Sequence, residues 1–270
     1  MKKHGYLDSN RTYLVSYPRS GANWLRYCLE ATTKLPTIGV QPLDPNTLLD
    51  KAIEEALNKI LGGTLGVDLE GDQSTVLLQH THRWHAATPH VDIVLIVRNF
   101  KECILRDFRG ISTNDDVVKK IIRDNSLKIL NEHGGTTRPG APAHSALGTE
   151  GWSWGGLLRS YISHRGRKHI VYYEDLKLHP EKTLRELLEF LNIPDAYSKL
   201  NEFMVNINHH NNVSIALYNN GVAKSYTDGS QNMSFHSDEF LTKDERIKWD
   251  GHMKLHFPTI IPLISRYFEE

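Results

Sequence analysis

Residues 17–24 read Tyr-Pro-Arg-Ser-Gly-Ala-Asn-Trp, and their chemistry is that of an anion site. A tight turn with Gly, leading straight into a helical pattern, turns backbone N–H groups outward. The helix dipole favours negative charge there, and Arg19 adds a full positive one. The ligand this predicts is a phosphate; an ordinary βα turn that happens to contain Ser-Gly is the alternative. The stretch is not a Walker A loop, because no Gly-Lys-Ser/Thr follows at the required spacing. A second group is Gln79-His80-Thr81-His82. An imidazole near neutral pKa takes a proton from a hydroxyl or an amine. The chain has 15 histidines, with His85 and His90 also close by, so residue type alone does not single out His82. Arg98 closes an apolar run in Ile96-Val97-Arg98-Asn99-Phe100-Lys101-Glu102. It suits an anion or a structural ion pair. Trp24, and Tyr173 in Val171-Tyr172-Tyr173-Glu174-Asp175-Leu176, offer aromatic faces to a purine, or else pack in a core.

The elements that must hold these residues are readable from periodicity. Thr12 to Ser16 is a short β-type run before the turn, and Trp24, Leu25, Cys28, Leu29 and Ala31 share a helical face after it. Leu35 to Asp44, with Pro36, Pro42 and then Pro45, reads as a loop. Pro45 to Leu61 reads as a helix stopped by Gly62-Gly63. Thr75 to Gln79 is β-rich, and Val91 to Val97 is nearly all apolar and β-branched, as in a strand buried on both faces. Lys101 to Phe108 is expected to be helical. From Arg109 to Gly151 the pattern fades into a long loop, a length usually tied to function. Trp154 to His164 is expected as helix and Ile170 to Tyr173 as strand. Pro180 to Leu191 is an amphipathic helix with Leu184, Leu187, Leu188 and Leu191 on one side. Residues 208–236 read as polar and irregular, and a final helix covers about 257–268. Strands alternating with helices predict an α/β fold, a parallel sheet flanked by helices with right-handed crossovers. Ligands of such sheets sit at strand carboxyl ends. Tyr17, His82, Arg98 and Tyr173 all fall at or just past such ends.

Composition narrows the function classes. A chain of 270 residues fits one α/β domain, expected to cover 1–270. Lys+Arg and Asp+Glu are 32 each, so there is no global basic field for nucleic acid and a phosphate site must be built locally. No apolar run approaches the roughly 20 residues of a membrane span, and the N-terminal stretch lacks the apolar region of a signal peptide. Two cysteines, Cys28 and Cys103, make neither a metal pattern nor a disulfide framework. A cytoplasmic protein without a metal is expected.

Residues 17–24 resemble the 5′-phosphosulfate loop of the sulfotransferases, Tyr-Pro-Lys-Ser-Gly-Thr-Thr-Trp in its usual form. That family transfers sulfonate from 3′-phosphoadenosine-5′-phosphosulfate (PAPS), releasing PAP. The resemblance implies a P-loop-NTPase-like architecture and places Arg19, Ser20, Gly21, Ala22, Asn23 and Trp24 on the nucleotide. Most cytosolic members have Lys where this chain has Arg19; Arg occurs in the tyrosylprotein branch. Arg19 is thus the cation on the leaving phosphate, holding two oxygens at once without readily giving up a proton. Thr81-His82 matches the end of the family's Lys-Thr-His strand and marks His82 as the base. Residues 97–102 are similar to the 3′-phosphate segment Val-Arg-Asn-Pro-Lys-Asp, which implies Arg98 as a ligand. The family Ser eight residues later is Arg106 here. Tyr173 matches the family Tyr that contacts adenine, and Trp24 the Trp that stacks on it. The late Arg-Lys-Gly segment is degraded to Asn219-Asn220-Gly221-Val222-Ala223-Lys224. Arg106 and Lys224 are candidates to replace its lost charge, with Gly221 beside the nucleotide.

The family pattern puts the acceptor pocket in residues 83–90 and 109–150. These contain Trp84, Arg109, Asp115, Asp116, Arg123, Asp124, His133 and His144, and suit a small polar acceptor with a hydroxyl or amine. Two rivals stand beside this reading. One is a nucleoside-phosphate kinase of related fold, disfavoured by the missing Gly-Lys-Ser/Thr and Mg²⁺ carboxylates. The other is a nucleotide-binding protein without catalysis, against which the retention of Arg19 and His82 argues.

Overall fold

Two fully buried runs, Tyr13–Ser16 and Ile93–Val97, lie at the centre of a sheet beside the alternately buried Leu78–Thr81, and candidate residues follow all three. The computed structural model describes residues 12–38, 77–82, 91–109, 116, 119, 120, 153–220 and 237–269. Its strands are β1 (Tyr13–Ser16), β2 (Thr37–Ile38), β3 (Leu78–Thr81), β4 (Ile93–Val97) and β5 (Lys168–Tyr172), in the order β2-β3-β1-β4-β5. β1 pairs parallel with both β3 and β4, and β2 parallel with β3. Val15 lies opposite Thr81, and Ser16 opposite Ile96. Parallel strands in this register end at one edge of the sheet, so the residues that follow β1, β3 and β4 leave from that edge. Every residue of β4 is buried, as the apolar run predicts for a strand with neighbours on both sides.

The helices are α1 (Ala22–Thr33), α2 (Phe100–Arg109), α3 (Trp154–Ser163), α4 (Tyr173–Leu178), α5 (Pro180–Phe190), α6 (Tyr197–Val205), α7 (Ile207–Asn220), α8 (Lys243–His256) and α9 (Ile261–Ile264), with short 3₁₀ turns between the later ones. By contacts the chain divides into two compact units. The first is Met1–Ser16, Gly21–Ile96 and Arg165–Ser225; the second is Tyr17–Ser20, Val97–His164 and Tyr226–Glu270.

In the first unit Leu25, Cys28 and Leu29 of α1 pack with Leu14, Leu78 and Val94 of the sheet and with Leu184, Leu187 and Leu188 of α5. The expected apolar faces of both helices are therefore the buried ones. In the second unit Phe100 is fully buried, with its ring centroid 5.4 Å from that of Trp154 and 6.4 Å from that of Trp249. Lys101 is also buried. Its Nζ lies 2.7 Å from Asp250 Oδ1 and donates to the Tyr267 carbonyl at 2.8 Å, the pairing a buried charge requires.

Several elements differ from the sequence expectation. Leu35 to Asp44 is not wholly loop: Thr37–Ile38 forms an edge strand on β3. It is held by α1, since Arg26 Nε donates to Thr37 Oγ1 at 2.9 Å and the Thr37 amide donates to Glu30 Oε1 at 2.9 Å. Burial lowers the Arg26 guanidinium to about 10 while Glu30 opposes that fall. Of the strand expected at Thr75 to Gln79, the described residues show β3, which runs on to Thr81, and Tyr173 opens α4 instead of closing a strand. Residues 207–220 are helical, not irregular. The polar sequence of α7 has no apolar periodicity, but Lys177 Nζ donates to Asn211 Oδ1 at 3.0 Å and the Tyr27 hydroxyl sits 2.9 Å from His210 Nδ1. These tertiary partners override local propensity. The final helix at 257–268 is broken into Pro258–Ile260, α9 and Ser265–Tyr267, because Pro258 and Pro262 each remove a helical donor. α8 before it is unforeseen, although Thr242 and Glu245 make a full capping box. Asp116, Lys119 and Lys120 are helical within the stretch expected as loop. The expected helix at 45–61 lies outside the described residues.

Candidate active site

The turn after β1 is built on backbone conformations that side chains rarely adopt. Arg19 has φ 68° and Gly21 φ 91°. The left-handed region costs an L-residue roughly 1–2 kcal/mol, and such conformations cluster where function demands them. Among the described residues the other non-glycine ones in that region, Lys34 and Asn192, follow the ends of α1 and α5, where the left-handed cap is ordinary. In the second unit the Ser20 amide closes the turn on the Tyr17 carbonyl at 3.2 Å, and the buried Ser20 Oγ lies 3.5 Å from Cys103 Sγ. In the first unit Gly21 is the N-cap of α1, with no side-chain cap and no acidic residue in the first turn. Among the described residues neither a side-chain cap nor a first-turn acidic residue meets this helix end, whose dipole and amides suit an anion. Ala22 is buried and Asn23 and Trp24 half-buried. A Cβ on Gly21 would land within the Tyr173 ring, so the aromatic lies directly against Gly21 and no larger residue fits.

His80 within β3 and His82 just past it are joined through Ser16. His82 Nδ1 lies 2.8 Å from the Ser16 carbonyl oxygen and 3.2 Å from Ser16 Oγ. A carbonyl only accepts, so Nδ1 carries the hydrogen, and the neutral ring has its lone pair on Nε2. His80 Nε2 lies 2.7 Å from Ser16 Oγ, and the two imidazoles meet edge to face at 4.7 Å. His80 is buried whereas His82 is partly exposed. Burial first, then His82 and Arg26, push the His80 imidazole well below its ordinary range. Residue type alone could not separate the two rings; their burial does.

In the second unit Arg98 follows β4 and is buried. Its Nη1 donates to the Arg19 carbonyl at 3.5 Å, and its Nη2 lies 3.9 Å from Glu102 Oε2. The Arg98 carbonyl accepts from Trp154 Nε1 at 3.1 Å. The guanidinium is thus tied to the Arg19 carbonyl and to a carboxylate, which is the ion-pair alternative of its sequence position. Arg106 falls in α2 as expected. Gly221, Lys224 and the expected acceptor segments, apart from Arg109, Asp116, Lys119 and Lys120, lie outside the described residues.

The aromatics sit in the first unit. Trp24 stacks on Tyr27 at 5.7 Å and meets Phe203 at 6.4 Å. Lys177, one turn beyond Tyr173 on α4, places its ammonium 4.8 Å from the Trp24 ring centroid. Burial lowers the Lys177 pKa. Trp24 therefore already has ring and cation neighbours. Sequence reasoning passed over Ser16 and Lys177; the signal for Lys177 was its i,i+4 spacing from Tyr173, and for Ser16 none exists without β3 beside it. Among the described residues no cluster of three or more His, Cys, Asp or Glu could hold a metal.

A family model described as sulfotransferase domain matches residues 9–269. WSCD family member AAEL009094 of Aedes aegypti is 27% identical over 186 residues, covering 68% of this chain and 50% of that protein. WSCD family member CG9164 of Drosophila melanogaster is 26% identical over 194 residues, covering 68% and 50%. The chain spans about half the length of these curated relatives. Among solved structures, mouse sulfotransferase SULT7A1 complexed with PAP superposes with a TM-score of 0.53 and 16% identity, over 97% of this chain and 89% of that one. That likeness establishes the fold, a parallel sheet flanked by helices.

Proposed function

We propose, on the premise that this chain belongs to the sulfotransferase domain family, that it moves a sulfonate group from PAPS to a hydroxyl or amine of a small polar acceptor and releases PAP. The observation that carries the reading is the contact of His82 Nδ1 with the Ser16 carbonyl oxygen at 2.8 Å. The imidazole Nδ1–H is spent on that carbonyl, so Nε2 is the nitrogen that can take a proton. The strand that ends in Ser16 runs directly into the strained, uncapped turn at Arg19 and Gly21.

The residues fit a nucleotide bearing phosphates. The first amides of α1 and the Arg19 guanidinium suit the 5′-phosphate, Arg98 and Arg106 the 3′-phosphate together with Gly221 and Lys224 of the degraded late segment, and Trp24 and Tyr173 the adenine. PAPS supplies an activated sulfur with a phosphate as leaving group. His82 Nε2 accepts the acceptor's proton while the acceptor oxygen or nitrogen forms its bond to sulfur. The sulfur–oxygen bond to the phosphate breaks with its electron pair on the phosphate oxygen. Arg19 stabilises that charge electrostatically, since transfer of this kind needs positioning and neutralisation more than covalent help. The same reading keeps the chemistry in a cytoplasmic setting, consistent with two buried free thiols, Cys28 and Cys103.

The test joins binding to turnover. PAP at about 100 times its Kd should stabilise the fold by roughly 2.7 kcal/mol, and ATP with Mg²⁺ by much less. PAPS offered with a library of polar metabolites should yield sulfonated product. His82→Ala should cut turnover by about 10²–10⁴-fold with PAP affinity little changed. Equal stabilisation by ATP and PAP, or no PAPS turnover at all, would overturn the reading.

A further inference from the structure

Ser16, His80 and His82 form a hydrogen-bonded chain within the first unit, and its proton positions follow from which atoms can donate. The Ser16 carbonyl, 2.8 Å from His82 Nδ1, can only accept and so favours a hydrogen on that nitrogen. Ser16 Oγ, 3.2 Å from the same nitrogen, then also accepts there. Its own hydrogen is left for His80 Nε2, at 2.7 Å. In that arrangement the unsatisfied group is the His80 Nδ1–H, which has no partner among the described residues. The reverse arrangement, with His80 Nε2 donating to Oγ, leaves two groups without partners among those residues: the hydroxyl hydrogen and the Nδ1 lone pair. Each buried unsatisfied polar group costs free energy, so the first arrangement is favoured.

That arrangement needs His80 neutral, and the surroundings hold it so. The ring is 4% exposed, and burial, His82 and the buried Arg26 all oppose its protonation. The edge-to-face contact at 4.7 Å further restricts rotation of the His82 ring.

We propose that His80 and Ser16 are positioning residues for His82: His80 accepts the Ser16 hydroxyl hydrogen, which turns a hydroxyl lone pair onto His82 Nδ1–H and holds His82 in the tautomer whose Nε2 is basic. The inference rests on the reading of His82 as the base. It also removes His80 as a rival base, because its Nε2 is engaged and its Nδ1 already carries a hydrogen.

The experiment reads tautomers in the free protein, so it does not depend on sulfonate chemistry. Long-range ¹H–¹⁵N spectra of the histidine-labelled chain, at alkaline pH where both rings are neutral, should show His82 protonated at Nδ1 and bare at Nε2. Ser16→Ala and His80→Leu should each raise a measurable Nε2–H population, and His80→Gln, whose amide oxygen accepts the hydroxyl hydrogen, should restore the wild-type pattern. In turnover, Ser16→Ala and His80→Leu should lower kcat by about three- to tenfold, the worth of one hydrogen bond, with PAP affinity unchanged. A merely structural role would alter stability without moving the tautomer. Should His80→Leu fail to fold, Ser16→Ala makes the same test. The proposal is overturned by a wild-type His82 protonated at Nε2, by a tautomer unmoved in both variants, or by an unchanged kcat in both. Absence of PAPS turnover in the wild type would instead refute the proposed function, while the spectra would still decide the tautomer.

Discussion

Gly21 concentrates two demands at one position. Its φ of 91° suits glycine, and any Cβ there meets the Tyr173 ring. Gly21→Ala should therefore cost about 2–4 kcal/mol, summing left-handed strain and overpacking, and PAP affinity should fall with it. Urea unfolding and PAP titration would check both; an Ala variant of unchanged stability and affinity would show that the turn is not constrained as described. Arg106 tests a charge placed by sequence alone. If it serves the 3′-phosphate, Arg106→Ser loses a charge-assisted hydrogen bond, about 10–100-fold in affinity for PAP. The loss should shrink for adenosine 5′-phosphate, which has no 3′-phosphate. Equal losses for the two nucleotides, measured by calorimetry, would rule the role out.

The helices show how local signals and tertiary partners divide the task of holding the site. α8 is specified locally: the Thr242 hydroxyl accepts from the Glu245 amide, and the Glu245 side chain returns to the Thr242 amide at 2.7 Å. Thr242→Ala should lower stability by about 1 kcal/mol, seen as a lower denaturation midpoint at constant m-value. No change would mean that packing of Trp249 and Met253, both fully buried, holds α8 without its cap. α5 was legible for another reason: Leu184, Leu187 and Leu188 recur at helical spacing and all lie in the core. α7 offers neither signal. Its partners, Lys177 to Asn211 and Tyr27 to His210, join residues far apart in sequence, so no window of the chain contains them.

Across the whole molecule, stability should depend on acid through histidines that fold neutral. His80 is held well below its ordinary value of 6.5, and His169 and His210 are lowered too, burial being the first cause each time. Below that value the unfolded chain binds a proton that the folded His80 refuses. The unfolded state then carries more protons, and stability falls as pH falls until the folded pKa is reached. Glu269, lowered chiefly by its hydrogen bond from Arg246, adds to the loss at more acidic pH. His80→Leu should flatten the slope of stability against pH just below 6.5 by about one proton's worth. Denaturation midpoints across that window would measure it; an unaltered slope would mean that His80 protonates freely in the fold.

What the chain determined by itself is local: the Gly-containing turn before α1, the apolar run of β4, the leucine face of α5, and the placement of Tyr17, His82, Arg98 and Tyr173 after strands. Period and turn chemistry are short-range properties, written within a few residues of where they act. What only the tertiary structure decided is pairing. The two-residue β2 exists because β3 lies beside it, since an edge of that length has no signature of its own. Ser16 became part of the site because the parallel register sets Leu14 opposite His80 and Val15 opposite Thr81, which brings the serine to both imidazoles. The difference between His80 and His82 is one of burial and proton position, and both depend on a neighbour more than sixty residues away. Sequence spacing reports which face of an element is apolar; it carries no record of which atom on a distant strand will accept a hydrogen.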